Sequence, residues 1–125
     1  MSGNTEVVEG AYGAFARGDI AGVIEAVDEQ VRWDVPESVP QGGSFRGKEG
    51  VGEFFQGLGG KWEELKIEIE DLIDGGDNVI GVGRASGRLK DGDAASYGFA
   101  HVFTIGDGRI VRFREYVDPD ERLRA

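Results

Sequence analysis

From residue 65 onward the chain repeats one pattern, and that pattern decides most of what it can fold into. Leu65, Ile67 and Ile69 alternate with Lys66, Glu68 and Glu70, the period-two signature of a half-buried strand. Asp74-Gly75-Gly76-Asp77 ends the segment as a turn. Asn78 to Leu89 reads as a Gly-rich strand closed by Lys90-Asp91-Gly92-Asp93, and Ala95 to Ile105 reads as the next. Gly106-Asp107-Gly108 then turns the chain into Arg109 to Val117. Consecutive strands joined by short turns predict an antiparallel meander. Its apolar face must be covered by something.

The cover has to come from the N-terminal half. Val7, Val8, Ala11, Tyr12 and Phe15 fall at helical spacing between Thr5 and Arg17, with Asn4 as a cap and Gly18 as a stop. Asp19 reads as the cap of a second short helix whose face is Ile20, Val23, Ile24 and Val27. Val31, Trp33 and Val35 then alternate with Arg32 and Asp34 as a first strand. Pro36, Pro40 and Gly42-Gly43 mark an irregular loop before a third helix, about Lys48 to Leu58, which Gly59-Gly60 ends. The predicted order is α-α-β-α-β-β-β-β, one α+β domain over residues 1–125 with its core at about 5–118. Gly81, Gly83, Gly87 and Gly98 permit a strongly curved sheet, cone-shaped and wrapped by three helices. A bent sheet with helices across its concave side leaves a cavity, the physical basis for expecting an apolar small-molecule ligand.

Composition removes several alternatives. The 125 residues include no cysteine and one histidine, which excludes thiolate and His-rich metal sites, and no metal or cofactor is expected. A formal net charge of −10 repels phosphate backbones, so no nucleic acid is expected as a partner. No apolar run approaches the roughly 18 residues of a membrane helix. The N-terminus has no basic stretch followed by an apolar one, so a cytoplasmic location is the expectation.

Several local motifs carry a resemblance. Ala16-Arg17-Gly18-Asp19 closes the helical opening, followed by Val31-Arg32-Trp33-Asp34-Val35-Pro36 and by Phe45-Arg46-Gly47. Phe99-Ala100-His101-Val102-Phe103, Asp107-Gly108-Arg109-Ile110 and Arg114-Glu115-Tyr116-Val117-Asp118 complete the set. In this order and spacing, from Val7 to Asp118, the chain resembles the SnoaL-like polyketide cyclases and ketosteroid-isomerase-like proteins. Those share the nuclear transport factor 2-like (NTF2-like, cystatin-like) fold. The resemblance implies a homodimer. In a purely structural role, with dimerisation through the convex face of the sheet, outward residues such as Tyr97 and Tyr116 are expected at the interface.

Strand alternation sorts the candidate site. Phe99, His101 and Phe103 share one face, and Phe113, Glu115 and Val117 share another, so His101 and Glu115 are expected to enter the cavity from neighbouring strands. An imidazole beside a carboxylate in an apolar cavity suits general acid/base work. In SnoaL-like cyclases a last-strand carboxylate is the base and a histidine on the preceding strand assists it. The resemblance thus implies Glu115 and His101 for those roles, with Glu in place of the usual Asp. The same residues admit a plainer reading, with His101 a satisfied core histidine and Glu115 in a structural ion pair with Arg84. Trp33, Val35, Phe54, Phe55, Phe99, Phe103, Phe113 and Val117 are expected as core or ligand-binding wall. Arg84, sharing a face with Ile80 and Val82, is a candidate to hold an anionic ligand group, with an ion pair at the sheet edge as the alternative. Asp34 is expected on the convex face.

Other chemistries of the fold fit less well. Steroid isomerases carry a carboxylate where Val35 falls and a Tyr where Ala11 falls; Tyr12 is about 100° off on a helix. Limonene-type epoxide hydrolases need Arg and Asp where Phe99 and His101 stand. The function expected is cofactor-independent cyclisation or isomerisation of an apolar substrate. A non-catalytic carrier with the same pocket is the alternative.

Overall fold

The computed structural model describes residues 3–118. Helix α1 (Gly3–Ala16) and helix α2 (Ile20–Glu25) open the chain. Gly18 between them takes a left-handed φ of 77°, the conformation that glycine adopts without steric cost. Asp19 caps α2 as expected, its side chain accepting from the Gly22 N–H at 2.9 Å. Asn4 does not cap α1: it lies within the helix and donates to the Gly76 carbonyl. Of the residues outside the expected core at about 5–118, Gly3 and Asn4 belong to α1, and 119–125 lie outside the described residues.

Six strands follow: β1 (Val27–Val35), β2 (Gly43–Arg46), β3 (Trp62–Gly75), β4 (Asn78–Leu89), β5 (Ala94–Gly106) and β6 (Arg109–Asp118). Helix α3 (Gly47–Lys61) stands between β2 and β3. The sheet order is β2-β1-β6-β5-β4-β3, and only the β1–β6 pair is parallel. The meander β3 to β6 is therefore as the alternation predicts. It forms one curled, unclosed sheet with the three helices across its hollow.

Three local expectations give way. Val27 begins β1 instead of ending α2, because its side chain is fully buried in the sheet core. The loop before α3 contains the short edge strand β2, paired antiparallel to β1 with Trp33 opposite Phe45. Too short for alternation to register, it is held by that pairing and by Phe45 against Phe54 at 5.5 Å. Helix α3 runs through Gly59-Gly60 to Lys61 and passes directly into β3.

Curvature comes from bulges in β3, between Trp62 and Glu64 and between Ile69 and Asp71. Gly87 and Gly83 lie opposite them, where a Cβ would collide with the carbonyls of Glu64 and Glu68. The core includes Val8, Val27, Val31, Val51, Val79 and Ile110, and the same cluster takes in Trp33, Phe54, Phe103 and Phe113, so the site is a hollow within the core. Among the described residues no helix is long and apolar enough to cross a membrane.

Candidate active site

The hollow of the sheet holds a cavity of about 80 Å³. A single water needs roughly 10–15 Å³ by this kind of measure, so there is room for a small organic molecule. Aromatic rings make one wall: Phe15, Trp33, Phe54, Phe55, Phe103 and Phe113, with Trp33 stacked on Phe113 at 4.1 Å. Leu58, Leu65 and Ile67 add aliphatic surface. Tyr12, Gln41, Tyr97, His101 and Glu115 bring the polar groups.

His101 and Glu115 face each other across β5 and β6, as their register requires. His101 Nε2 lies 2.8 Å from Glu115 Oε2, and both residues are buried. The imidazole is clamped from one side by Phe99, stacked at 3.8 Å and nearly parallel. On the other ring nitrogen, Nδ1, sits the Tyr12 hydroxyl at 2.7 Å. A carboxylate can only accept, so Nε2 carries a proton. In the neutral ring Nδ1 is then an acceptor and Tyr12 donates to it. Both imidazole nitrogens are thus occupied. Glu115 Oε1, by contrast, makes no hydrogen bond to any described residue.

A second polar chain borders the same cavity. Trp62 Nε1 donates to Gln41 Oε1 at 2.9 Å, and Gln41 Nε2 donates to the Tyr97 hydroxyl at 2.9 Å. It ties the loop after β1 to β3 and β5.

Burial, and then the negative charge of Glu115, push the phenol of Tyr12 far above its ordinary range. Tyr97 is raised by the same two causes in the same order, with the Gln41 hydrogen bond pulling the other way. In the unfolded chain both ionise near pH 10. Above about pH 10 the unfolded state therefore sheds protons that the folded state keeps, and stability falls as pH rises. Urea midpoints measured across this alkaline range should decline steeply for the wild type. The slope should flatten for a Tyr12→Phe/Tyr97→Phe double variant, and an unchanged slope would mean these phenols are not buried as described.

The wall residues divide. Trp33, Phe54, Phe55, Phe103 and Phe113 line the cavity as expected. Val35, Phe99 and Val117 do not line it: Val35 packs in the core beside Gly43, Phe99 backs His101, and Val117 lies at the border of a shallow outer groove. Arg84 is a correction. It is exposed on the outer face, 3.5 Å from Ser96 Oγ, and neither enters the cavity nor pairs with Glu115. The inner face of β4 is Val79, Gly81, Gly83 and Ala85. Small residues face a cavity because space must be left there, so the larger side chains of Ile80 and Val82 pointed to the wrong face. Tyr97 is a second correction: it is 1% exposed and turned inward, not part of an outer interface. Asp34 is on the outer face as expected, 3.4 Å from Arg112.

Tyr12, Tyr97 and Gln41 are the site residues that sequence reading missed. Tyr12 lies one helical turn from Val8, on the inward face of α1, and Gly81 makes its place, since a Cβ there would collide with its hydroxyl. Tyr97 follows the same alternation as Phe99, His101 and Phe103. Gln41 sits in a loop and carries no periodic signal.

The model of the SnoaL-like domain matches residues 8–113 of the chain. Among solved structures, an NTF2-like protein from Burkholderia pseudomallei K96243 is similar over 99% of this chain and 97% of its own, at 29% identity and TM-score 0.90. An NTF2-like protein from Burkholderia thailandensis E264 matches at 30% identity and TM-score 0.88, over 94% of this chain and 92% of its own. TerC, crystallised with polyporic acid, matches at 26% identity and TM-score 0.83, over 94% and 92%. A search of curated proteins gave no match.

Proposed function

Because this chain belongs to the SnoaL-like family, matched from Val8 to Phe113, we propose that its cavity performs cofactor-independent acid/base chemistry on an apolar small molecule. The observation that carries this reading is the free oxygen of Glu115 in an apolar cavity, with its other oxygen held by His101. A carboxylate in that setting is poorly solvated and well oriented, which is what a general base needs. His101 fixes the carboxylate, and Tyr12 fixes the ring of His101.

The reaction is removal of a proton from the carbon beside a carbonyl. Glu115 takes the proton, the C–H electron pair becomes a carbon–carbon double bond, and the carbonyl π pair moves to oxygen. Return of the proton to a different carbon isomerises the substrate; attack of the enolate carbon on an internal carbonyl cyclises it. The co-crystallisation of TerC with polyporic acid supports a small-molecule ligand in this fold.

The test is exchange of α-protons for deuterium in apolar cyclic ketones dissolved in D2O, followed by proton NMR. The enzyme should accelerate exchange well above the buffer rate. Saturable ligand binding with exchange at the buffer rate for every ketone would instead make the protein a carrier.

A cytoplasmic homodimer belongs to the same reading. Its interface would use the outer sheet face, where Tyr116 is 55% exposed in one row with half-buried Ala100 and Val82. Sedimentation equilibrium should give twice the chain mass and a Tyr116→Glu variant the single mass; a wild-type monomer would remove the dimer.

A further inference from the structure

We infer that Tyr97 is the hydrogen-bond donor for the oxygen of the substrate, and that the site therefore takes a carbonyl compound and holds its enolate. The inference rests on the acid/base reading above and adds the residue that would receive the developing charge.

The argument is one of hydrogen-bond polarity. An indole N–H can only donate, so the atom of Gln41 facing Trp62 must be the carbonyl oxygen Oε1. The other end of the amide, Nε2, is then the one facing Tyr97, and it too can only donate. The Tyr97 oxygen is thereby committed as an acceptor to Gln41. Its own proton must point elsewhere. Among the described residues no acceptor takes it: the Gln41 contact is the one hydrogen bond the Tyr97 side chain makes.

A buried hydroxyl proton without an acceptor is costly, and the ring that carries it borders the cavity. Accepting from Gln41 also polarises the phenol and strengthens it as a donor. Burial and the charge of Glu115 keep the phenol protonated, so the donor is not lost at neutral pH. Tyr12 has the opposite polarity. Its proton is spent on His101 Nδ1, and it presents lone pairs to the cavity in the resting state. Of the two tyrosines, Tyr97 alone has a proton to give a ligand without rearrangement.

Balance follows directly. The α-proton leaves for Glu115 Oε1, and negative charge grows on the carbonyl oxygen. That oxygen shortens its hydrogen bond to the Tyr97 O–H, which stabilises the enolate more than the ketone. Gln41 and Trp62 do not touch the substrate; they position Tyr97.

The test compares cyclohexanone with methylenecyclohexane, its isostere without the oxygen, in the wild type and in Tyr97→Phe. Loss of one hydrogen bond should weaken cyclohexanone binding roughly tenfold and leave methylenecyclohexane within about twofold. The α-proton exchange rate should fall by about 10²-fold, because the donor matters more as charge develops. Gln41→Met, which frees the phenol to turn, should weaken the ketone alone by about threefold, an effect that mere loss of packing would spread to both probes. Equal losses for both probes, or none for either, would overturn the role of Tyr97 while leaving exchange by Glu115 intact. If the wild type binds neither probe and exchanges no ketone, the acid/base reading itself fails.

Discussion

Glu115→Gln is expected to lower the rate of enzyme-catalysed α-proton exchange by about 10²- to 10⁴-fold, the range a positioned general base supplies. Affinity for an apolar ketone should change by no more than about threefold, roughly 0.6 kcal/mol. The amide keeps the shape of the side chain and an oxygen to accept from His101 Nε2, so the wall and the ring position are conserved. What it loses is basicity. Enzyme kinetics and equilibrium binding on one preparation check both halves of the prediction. A loss of binding equal to the loss of rate would mean that Glu115 holds the ligand instead of deprotonating it. A variant with wild-type exchange would remove Glu115 from the chemistry.

The specificity of that prediction depends on how the polar groups are divided. His101 uses both ring nitrogens internally, one for Glu115 and one for Tyr12, so it has no free atom to abstract a proton itself. Its part is orientation. The dyad is thus better described as the end of a three-residue chain that begins on α1.

Much of this arrangement was legible in the sequence because strands encode their faces. His101 and Glu115 fall on inward positions of β5 and β6, and the register then places them opposite each other. The meander was legible for the same reason, with Gly and Asp at each turn. Where the structure departs from the alternation, each departure has its own physical cause. Alternation reports which face is more apolar, and it fails where the inner face must be empty: Gly81 and Gly83 line the hollow, so β4 was turned inside out and Arg84 with it. The edge strand β2 has four residues, too few for a period to show. Gln41 is fixed by partners on β3 and β5, contacts that exist only after the chain has folded. Tyr12 stands at helical spacing with Val8 and Phe15, and that helix face turns it inward wherever the tyrosine of a steroid isomerase falls.

The second large effect concerns stability. His101→Leu strands two partners at once: a buried carboxylate without its donor, and the Tyr12 hydroxyl without its acceptor. Breaking a buried pair from one side should destabilise the fold by about 3–5 kcal/mol, read from urea unfolding. Glu115 is only 8% exposed, so water cannot readily replace the lost partner. Replacing all three groups together, as Tyr12→Phe/His101→Leu/Glu115→Met, leaves no buried charge and fills the same space with apolar atoms. That variant should return to within about 1 kcal/mol of the wild type while losing all exchange activity. The contrast between single and triple variants measures coupling, since independent sites would add. It also bears on why the chain is kept. If the apolar triple variant is as stable as the wild type, folding does not require Tyr12, His101 and Glu115, and a site for chemistry explains their presence. If it is several kcal/mol less stable than the wild type, the three residues hold the core together and the structural reading of the pair gains.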